Sequence, residues 1–85
     1  MMYEVFYSRT FEKQFKDLDK KMQDRVRAAL KQLEVDPFKS RSGADIKHIV
    51  GSEPAKHRIR VGGYRIVYCV EKNIVKVIEV FWRGY

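Results

Sequence analysis

Cationic side chains recur at every second position at the start of the segment 56–65, which reads KHRIRVGGYR. A period of two is typical of a β-strand, and it predicts one shared face for three cations, Lys56, Arg58 and Arg60. Gly62-Gly63 favours a tight two-residue turn, and the hairpin that it predicts sets Arg60 opposite Arg65. Directly opposed like charges repel across a ladder, so this arrangement favours a surface that holds an anion such as a phosphate.

RNA cleavage by the adjacent ribose 2′-hydroxyl is a reaction that such cations can support. The substrate supplies the nucleophile, so the protein has to orient the sugar-phosphate, neutralise the charge growing on the phosphorane and assist two proton transfers. Arg58 and Arg65 fit the neutralising role because guanidinium groups bind phosphate oxygens bidentately. Lys56 is a candidate base, since the neighbouring cations favour its neutral form. A surface that binds RNA without cleaving it stays open as the alternative, because charged patches outnumber active sites.

The composition limits the remaining possibilities. The chain of 85 residues has 18 Lys and Arg against 11 Asp and Glu, a formal net charge of +7, which favours a nucleic acid or an acidic protein as partner. Familiar catalytic and zinc-binding motifs are absent from the sequence, so neither a metal nor a cofactor is expected. Cys69 is expected to be a buried, inert thiol, and His57 is expected to face the core. Apolar runs fall short of the roughly 20 residues of a membrane span, which predicts a cytoplasmic protein with no membrane partner.

Two predicted helices lie between a first strand and a run of later strands. Aromatic and β-branched runs predict the strands, and apolar residues at steps of three and four predict the helices, with Ser8 or Thr10 and then Asp19 as caps. The predicted elements, in chain order, are a strand over 3–7, a short helix with an apolar stripe at Phe11, Phe15 and Leu18, a second helix ending at Asp36-Pro37, a polar loop over 38–45, and strands over 46–50, 56–61, 64–70 and 74–82.

These elements predict an α+β fold with an N-terminal strand, a two-helix hairpin and an antiparallel β-meander. The helices are expected on one face of the sheet and the cations on the other. For the last pairing we favour a three-residue turn over 71–73, which sets Arg65 opposite Glu79 and brings Arg83 to the face of Arg65. A two-residue turn at Lys72-Asn73 is disfavoured because it would place Glu79 on the core side.

The whole chain resembles the RelE/ParE superfamily of bacterial and archaeal toxins, and the RelE-type members most. The resemblance rests on the opening YEVFYSRTFEKQFKDLD, the helix end LEVDPF, the closing VIEVFWR and the pattern R-x-R-V-G-x-Y-R-h-h-Y over residues 58–68, where h is apolar. It implies a single RelE-like toxin domain over residues 1–85 and, by analogy, a ribosome-dependent endoribonuclease that cuts messenger RNA in the ribosomal A site without a metal. It also implies two partners, a cognate antitoxin and the ribosome with its mRNA.

The resemblance assigns roles to individual residues. It matches Lys56 and Arg58 to the family's basic strand residues, Arg65 to its phosphate-stabilising arginine, Arg83 to a proposed leaving-group acid and Tyr85 to its C-terminal tyrosine. Tyr85 follows Arg83 by two residues, whereas the family's tyrosine usually lies several residues further on, so either weaker activity or a base role for Lys56 is expected. Around these catalytic candidates, the residues expected to bind RNA are Arg60, Lys47 and Arg41.

Two other functions stay open. A ParE-like protein would inhibit DNA gyrase by protein contact, without nuclease chemistry, although a strongly basic face argues against this function. A plain RNA-binding module would keep a salt-dependent affinity for RNA and leave the RNA intact.

Overall fold

The computed structural model describes residues 2–84 and has the predicted α+β architecture. The elements, in chain order, are β1 (Glu4–Tyr7), α1 (Arg9–Lys16), α2 (Lys20–Val35), β2 (Asp45–Ile49), β3 (Lys56–Val61), β4 (Tyr64–Glu71) and β5 (Ile74–Trp82). No helix formed by residues 2–84 has both the length and the apolar character that crossing a membrane requires.

Both helices begin where the sequence predicts a cap. The Ser8 hydroxyl accepts a hydrogen bond from the Phe11 amide at 3.0 Å, and a carboxylate oxygen of Asp19 accepts one from the Met22 amide at 2.8 Å. These bonds satisfy amides that the first turn of a helix leaves without a partner.

The sheet has the strand order β1-β5-β4-β3-β2. Strands β2 to β5 form the predicted antiparallel meander, whereas β1 runs parallel to β5 because the helical hairpin connects it to the rest of the sheet. One sheet face packs on the helices. The core there joins helix residues to alternate strand residues, namely Phe11, Val26, Leu30, Leu33, Ile59, Ile66, Tyr68, Val75, Val77 and Val80.

The turn between β4 and β5 corrects one prediction. Lys72 and Asn73 form a two-residue turn and Glu71 pairs with Ile74, whereas the sequence favoured a three-residue turn over 71–73. Lys72 adopts a φ of 57°, a positive value of the kind that tight hairpin turns need. The register of β3 with β4, by contrast, is the predicted one.

A β-bulge keeps Glu79 out of the core despite the two-residue turn. The pairing of β4 with β5 shifts by one residue midway along the ladder, where Ile78 is the extra residue of β5. The extra residue reverses which side chains of β5 face away from the helices. Glu79 therefore lies opposite Val67, Phe81 lies opposite Arg65, and the predicted pairing of Arg65 with Glu79 is wrong.

Candidate functional site

The sheet face away from the helices carries a cluster of cations, which we call the basic face. Lys47 of β2 lies opposite Arg58 of β3, and Arg60 of β3 lies opposite Arg65 of β4. Phe81 pairs with Arg65, and Arg83, two residues further on, is close enough for its charge to act on Arg65. The basic face comprises Lys47, Lys56, Arg58, Arg60, Arg65 and Arg83.

Arg65 is a cation of the basic face whose guanidinium is partly withdrawn from solvent. Its Nη1 atom is shielded from solvent and has no hydrogen-bond partner among residues 2–84, although the residue as a whole is half-buried. Burial, followed by the charges of Arg58, Arg60 and Arg83, lowers the pKa of the Arg65 guanidinium, while Asp45 opposes this effect. An arginine keeps its charge at neutral pH even so. Arg65 is therefore a cation with one desolvated nitrogen, and an anion would be its favourable partner.

Asp45, at the start of β2, holds Arg58 in place. The Arg58 Nη1 atom donates to the Asp45 carbonyl oxygen at 2.9 Å and lies 3.2 Å from the carboxylate oxygen Oδ1. The Arg58 side chain is only 18% exposed, so this ion pair is better shielded from water than the pairs on the surface of α2. Arg58 consequently offers a fixed guanidinium beside the desolvated one.

The segment that carries Arg83 is held against the turn between β3 and β4. The Arg83 amide donates to the Gly63 carbonyl oxygen at 2.8 Å, and the Gly84 amide donates to the same oxygen at 3.2 Å. Gly63 also leaves room for the Trp82 ring, because a Cβ atom at residue 63 would lie 2.3 Å from Trp82 Cζ3. The sequence predicts Gly63 only as a turn residue, and its second role, close approach of a ring to the backbone, arises from the strand pairing.

Of the two candidate bases, Lys56 lies on the basic face and Tyr85 lies outside the described residues 2–84. Lys56 is four positions from Arg60 along β3, which corresponds to about 13 Å at the rise of a strand. Cys69 lies opposite Lys56, and its thiol is half-exposed because its side of β4 faces away from the core. The prediction that this thiol is buried is therefore wrong, and Lys56 lies towards the other end of the basic face from Arg65.

Arg41, predicted to bind RNA, is not on the basic face. Its guanidinium donates to the Gln32 carbonyl oxygen at 2.9 Å and to the Asp36 carbonyl oxygen at 3.0 Å, both at the C-terminal end of α2. The Gln32 oxygen also accepts the Asp36 amide at 3.1 Å, so Arg41 adds a second donor there and stabilises the end of α2. Sequence reasoning assigned it to the polar loop and could not anticipate this contact.

The two histidines lie on the core side of the sheet. The His57 ring faces the core, as predicted, and stacks on the Tyr68 ring with 5.6 Å between centroids. Burial, and to a lesser extent the His48 ring at 5.2 Å, lowers the pKa of His57. Within residues 2–84, no three His, Cys, Asp or Glu side chains are grouped so that they could hold a metal ion.

The architecture is shared with solved toxin–antitoxin structures. A chain of the archaeal RelE-RelB complex from Pyrococcus horikoshii OT3 matches with a TM-score of 0.83 at 26% identity, over 99% of this chain and 98% of that chain. A chain of the RelBE2 toxin-antitoxin complex from Mycobacterium tuberculosis matches with a TM-score of 0.79 at 22% identity, over 98% and 100% of the two chains. A chain of the intact E. coli RelBE toxin-antitoxin complex gives a TM-score of 0.67 at 22% identity, over 98% and 99%. No curated protein matches the sequence.

These matches define the fold as that of the RelE/ParE superfamily, which confirms the resemblance seen in the sequence. The family model of the ParE toxin of type II toxin-antitoxin system, parDE, matches residues 5–84. The chain therefore belongs to this family and is a toxin of a type II toxin–antitoxin system.

Proposed function

We propose that this toxin is a ribosome-dependent endoribonuclease that cuts messenger RNA in the ribosomal A site, in the cytoplasm. The observation that carries the proposal is the Nη1 atom of Arg65, which is shielded from solvent, has no hydrogen-bond partner within residues 2–84 and lies among the charges of Arg58, Arg60 and Arg83. Such a cluster is unfavourable in the free protein and favourable once an anion occupies it. The phosphodiester of RNA suits it, because guanidinium groups bind phosphate oxygens in paired hydrogen bonds.

The reaction that fits these residues begins with attack of a ribose 2′-oxygen on the adjacent phosphorus. The bond from phosphorus to the 5′-oxygen then breaks, which leaves a 2′,3′-cyclic phosphate and a 5′-hydroxyl. Arg65 and Arg58 neutralise the charge growing on the non-bridging oxygens, and Arg83, as the leaving-group acid, gives a proton to the 5′-oxygen and regains one from solvent. The 2′-hydroxyl proton passes to a base, for which Lys56 and Tyr85 are the candidates.

A cognate antitoxin is the proposed protein partner, in addition to the ribosome. The matching M. tuberculosis and E. coli structures are toxin-antitoxin complexes, and the matching P. horikoshii structure is a RelE-RelB complex. An apolar cleft of about 410 Å³, whose lining includes Tyr7, Phe11, Phe15 and Leu30, offers such a partner an apolar surface in addition to the basic face. An acidic antitoxin segment on the basic face would also relieve the repulsion between its opposed arginines.

Inhibition of DNA gyrase is the second candidate function, because the matching family model is that of the ParE toxin. The repelling guanidinium groups of the basic face are costly in the free protein, and a phosphate satisfies them with paired hydrogen bonds that RNA cleavage requires and that inhibition by protein contact does not. The basic face therefore favours RNA. Binding of RNA without cleavage is the third candidate, and only a cleavage assay separates it from the nuclease.

The test is induction of the wild-type chain and of the Arg65→Ala/Arg83→Ala double variant in growing cells, with the 5′-ends of transcripts mapped. The wild type is expected to arrest growth and create new ends within translated codons, and the purified protein to cut mRNA only with ribosomes present. The double variant is expected to lose about a hundredfold or more of the cleavage rate, because preorganised donors are removed. Arg27→Ala, which removes an exposed arginine of α2, is the control and should keep wild-type cleavage.

Each rival function has its own signature in this experiment. Undiminished mRNA cuts in the double variant would mean that the assigned residues do not perform cleavage. Growth arrest with intact mRNA and damaged DNA would favour the gyrase function instead. Retention of RNA binding with no cuts in the wild type would favour the non-catalytic module.

A further inference from the structure

A second cationic surface lies beside the basic face, in a cleft of about 390 Å³. Its walls come from α2, from the segment that leads into β2 and from the turn between β3 and β4. The lining combines three cations with several small residues, among them Arg25, Arg41, Arg60, Ala29, Gly43 and Ala44. We call this surface the arginine cleft.

Two guanidinium groups of the arginine cleft meet at Gly62. The Arg25 guanidinium lies over this glycine, since a Cβ atom built there would be 3.2 Å from Arg25 Nη1. Arg60 reaches the same glycine, because its Nε donates to the Gly62 carbonyl oxygen at 3.2 Å. The fold therefore brings like charges of α2 and β3 together across one turn.

The third guanidinium, that of Arg41, is held in place by the carbonyl oxygens at the end of α2. A side chain that is already ordered gives up little conformational entropy when it binds a ligand. Asp45 also lines the cleft, but its carboxylate lies 3.2 Å from Arg58 and is engaged on the basic face. The positive charge of the cleft is thus largely uncompensated.

Arg60 connects the arginine cleft to the basic face. It lines the cleft and lies directly opposite Arg65 in the sheet. Directly opposed residues of an antiparallel pair are only about 5 Å apart at their Cβ atoms. An RNA phosphate beside Arg65 therefore has its neighbour along the strand within reach of Arg60.

We propose that the arginine cleft binds the phosphodiester of a nucleotide adjacent to the cleaved one, so that the RNA strand runs from Arg65 past Arg60 to Arg25. The inference rests on the function proposed for the basic face. It adds Arg25, which the sequence did not single out, to the residues that hold RNA. Arg41 contributes its charge to the cleft rather than hydrogen bonds, because both of its Nη atoms already donate to protein oxygens.

The lining favours RNA over a protein segment as the occupant. Both clefts contain three cations, but the other cleft adds the large apolar side chains of Tyr7, Phe11 and Phe15 and two carboxylates, whereas the arginine cleft has small residues and the single carboxylate of Asp45. A bound peptide gains most of its affinity from apolar side chains that anchor in pockets. The arginine cleft offers little apolar surface for such anchors. A sugar-phosphate backbone requires cations in an open groove.

The test compares a 2′-O-methyl dinucleotide with a 2′-O-methyl tetranucleotide, both uncleavable, by calorimetric titration at several salt concentrations. Arg25→Gln is expected to weaken tetranucleotide binding about fivefold to tenfold and to reduce the salt slope by about 0.7, the share of one phosphate contact on a single strand. Its dinucleotide affinity should stay as in the wild type, because a single phosphate occupies the Arg65 site. Lys21→Gln removes one charge from an exposed site on the same helix and should change neither affinity.

Three results of the titration would overturn the inference: a wild-type salt slope and tetranucleotide affinity in Arg25→Gln, an equal loss for both oligonucleotides, or no binding of either by the wild type at low salt. A loss of antitoxin affinity in Arg25→Gln with RNA binding unchanged would assign the cleft to a protein and overturn it as well. Failure of the nuclease proposal is seen separately, as undiminished mRNA cuts in the Arg65→Ala/Arg83→Ala variant.

Discussion

Arg65 occupies a position that is unfavourable for folding and suited to binding an anion. One of its guanidinium nitrogens is desolvated and unpaired within residues 2–84, and three other arginines repel it. Groups that are costly to the free protein are found mostly where binding or catalysis repays the cost. The alternation of residues 56–65 predicts that the cations share a face, but it contains nothing about the desolvation of Arg65, which depends on the neighbouring strands.

Arg65→Met is expected to raise the melting temperature of the free toxin and to lower ribosome-dependent cleavage about a hundredfold or more. Methionine has a similar length and no charge, so the desolvated cation and its repulsion disappear while the packing is kept. Thermal melts and cleavage of mRNA on ribosomes measure the two effects. Arg27→Met is the control, because Arg27 is exposed and lies 3.1 Å from Asp24, and it should bring no gain in melting temperature. A lower melting temperature for Arg65→Met would contradict the interpretation of Arg65 as a destabilising cation.

Among the elements, β5 pairs with β1 only as far as Tyr7, which lies opposite Val77. Beyond that point, backbone groups of β5 form hydrogen bonds with side chains of α1 and its cap. The Ser8 hydroxyl donates to the carbonyl oxygen of Ile78, the extra residue of the bulge. Gln14 Oε1 accepts a hydrogen bond from the Val80 amide at 2.7 Å. These two side chains satisfy backbone groups next to the bulge, and the bulge turns the end of β5 so that the following arginine reaches the basic face.

Gln14→Met is expected to lower the free energy of unfolding by about 1–3 kcal/mol, because it leaves a part-buried amide without an acceptor. It should also lower mRNA cleavage, since a small displacement of Arg83 is costly for a preorganised site. Urea denaturation and the ribosomal cleavage assay measure these effects. Gln14→Glu is the matched control, which keeps an acceptor of the same length and should keep most of the stability. An equal loss of unfolding free energy in Gln14→Met and Gln14→Glu would show that the hydrogen bond to the Val80 amide does not stabilise the fold.

The bulge also marks the limit of what the sequence predicts about the elements. Caps, helix bounds and the turn at Gly62-Gly63 follow from residues close together in the chain, and the structure has them where they were expected. In a regular ladder, a two-residue turn at Lys72-Asn73 would place Glu79 on the core side of the sheet. The bulge allows the tight turn and still turns Glu79 outward. It is supported by the hydrogen bond between Gln14 and Val80, which are 66 positions apart, so a local sequence pattern cannot predict it.

At the scale of the whole molecule, the basic face and the cleft lined by Tyr7, Phe11 and Phe15 share no residue. Strand alternation predicts the basic face, because it fixes which side of the sheet each residue occupies. The arginine cleft and the apolar cleft were not predicted, since each combines a helix with elements distant in the chain. Arg41 illustrates the difference: its type suggested RNA binding, but only the packing of the loop against α2 determines which surface it joins.

The stability of the whole fold should depend on pH through the ring cluster beneath β2 and β3. The His57 ring lies 5.6 Å from Tyr68, 5.5 Å from Phe38 and 5.2 Å from His48, measured between centroids. Burial, and next the charge of His48, lowers the pKa of His57 below its usual 6.5. Between the lowered pKa and 6.5 the unfolded chain binds more protons than the folded chain, so the free energy of unfolding rises with pH in this window. The stability that neutral His57 contributes is fully present above its pKa in the unfolded chain, and it is lost as the pH falls through its pKa in the folded chain.

His57→Phe is therefore expected to remove most of the loss of stability that the wild type shows between about pH 7 and about pH 5. Phenylalanine keeps the ring in the cluster and has no proton to bind, so only the titration is removed. Urea denaturation at several pH values measures the slope for both proteins. His48→Gln, which removes the secondary cause, should keep the larger part of the slope because burial of His57 remains. Hydrogen bonds lower the pKa values of Asp36 and Glu71. The stability that these two carboxylates contribute is lost only at more acidic pH, below about 4.5, and therefore does not account for the change assigned to His57. A wild type equally stable at both ends of the range, or a His57→Phe variant with an unchanged slope, would contradict the assignment of the transition to His57.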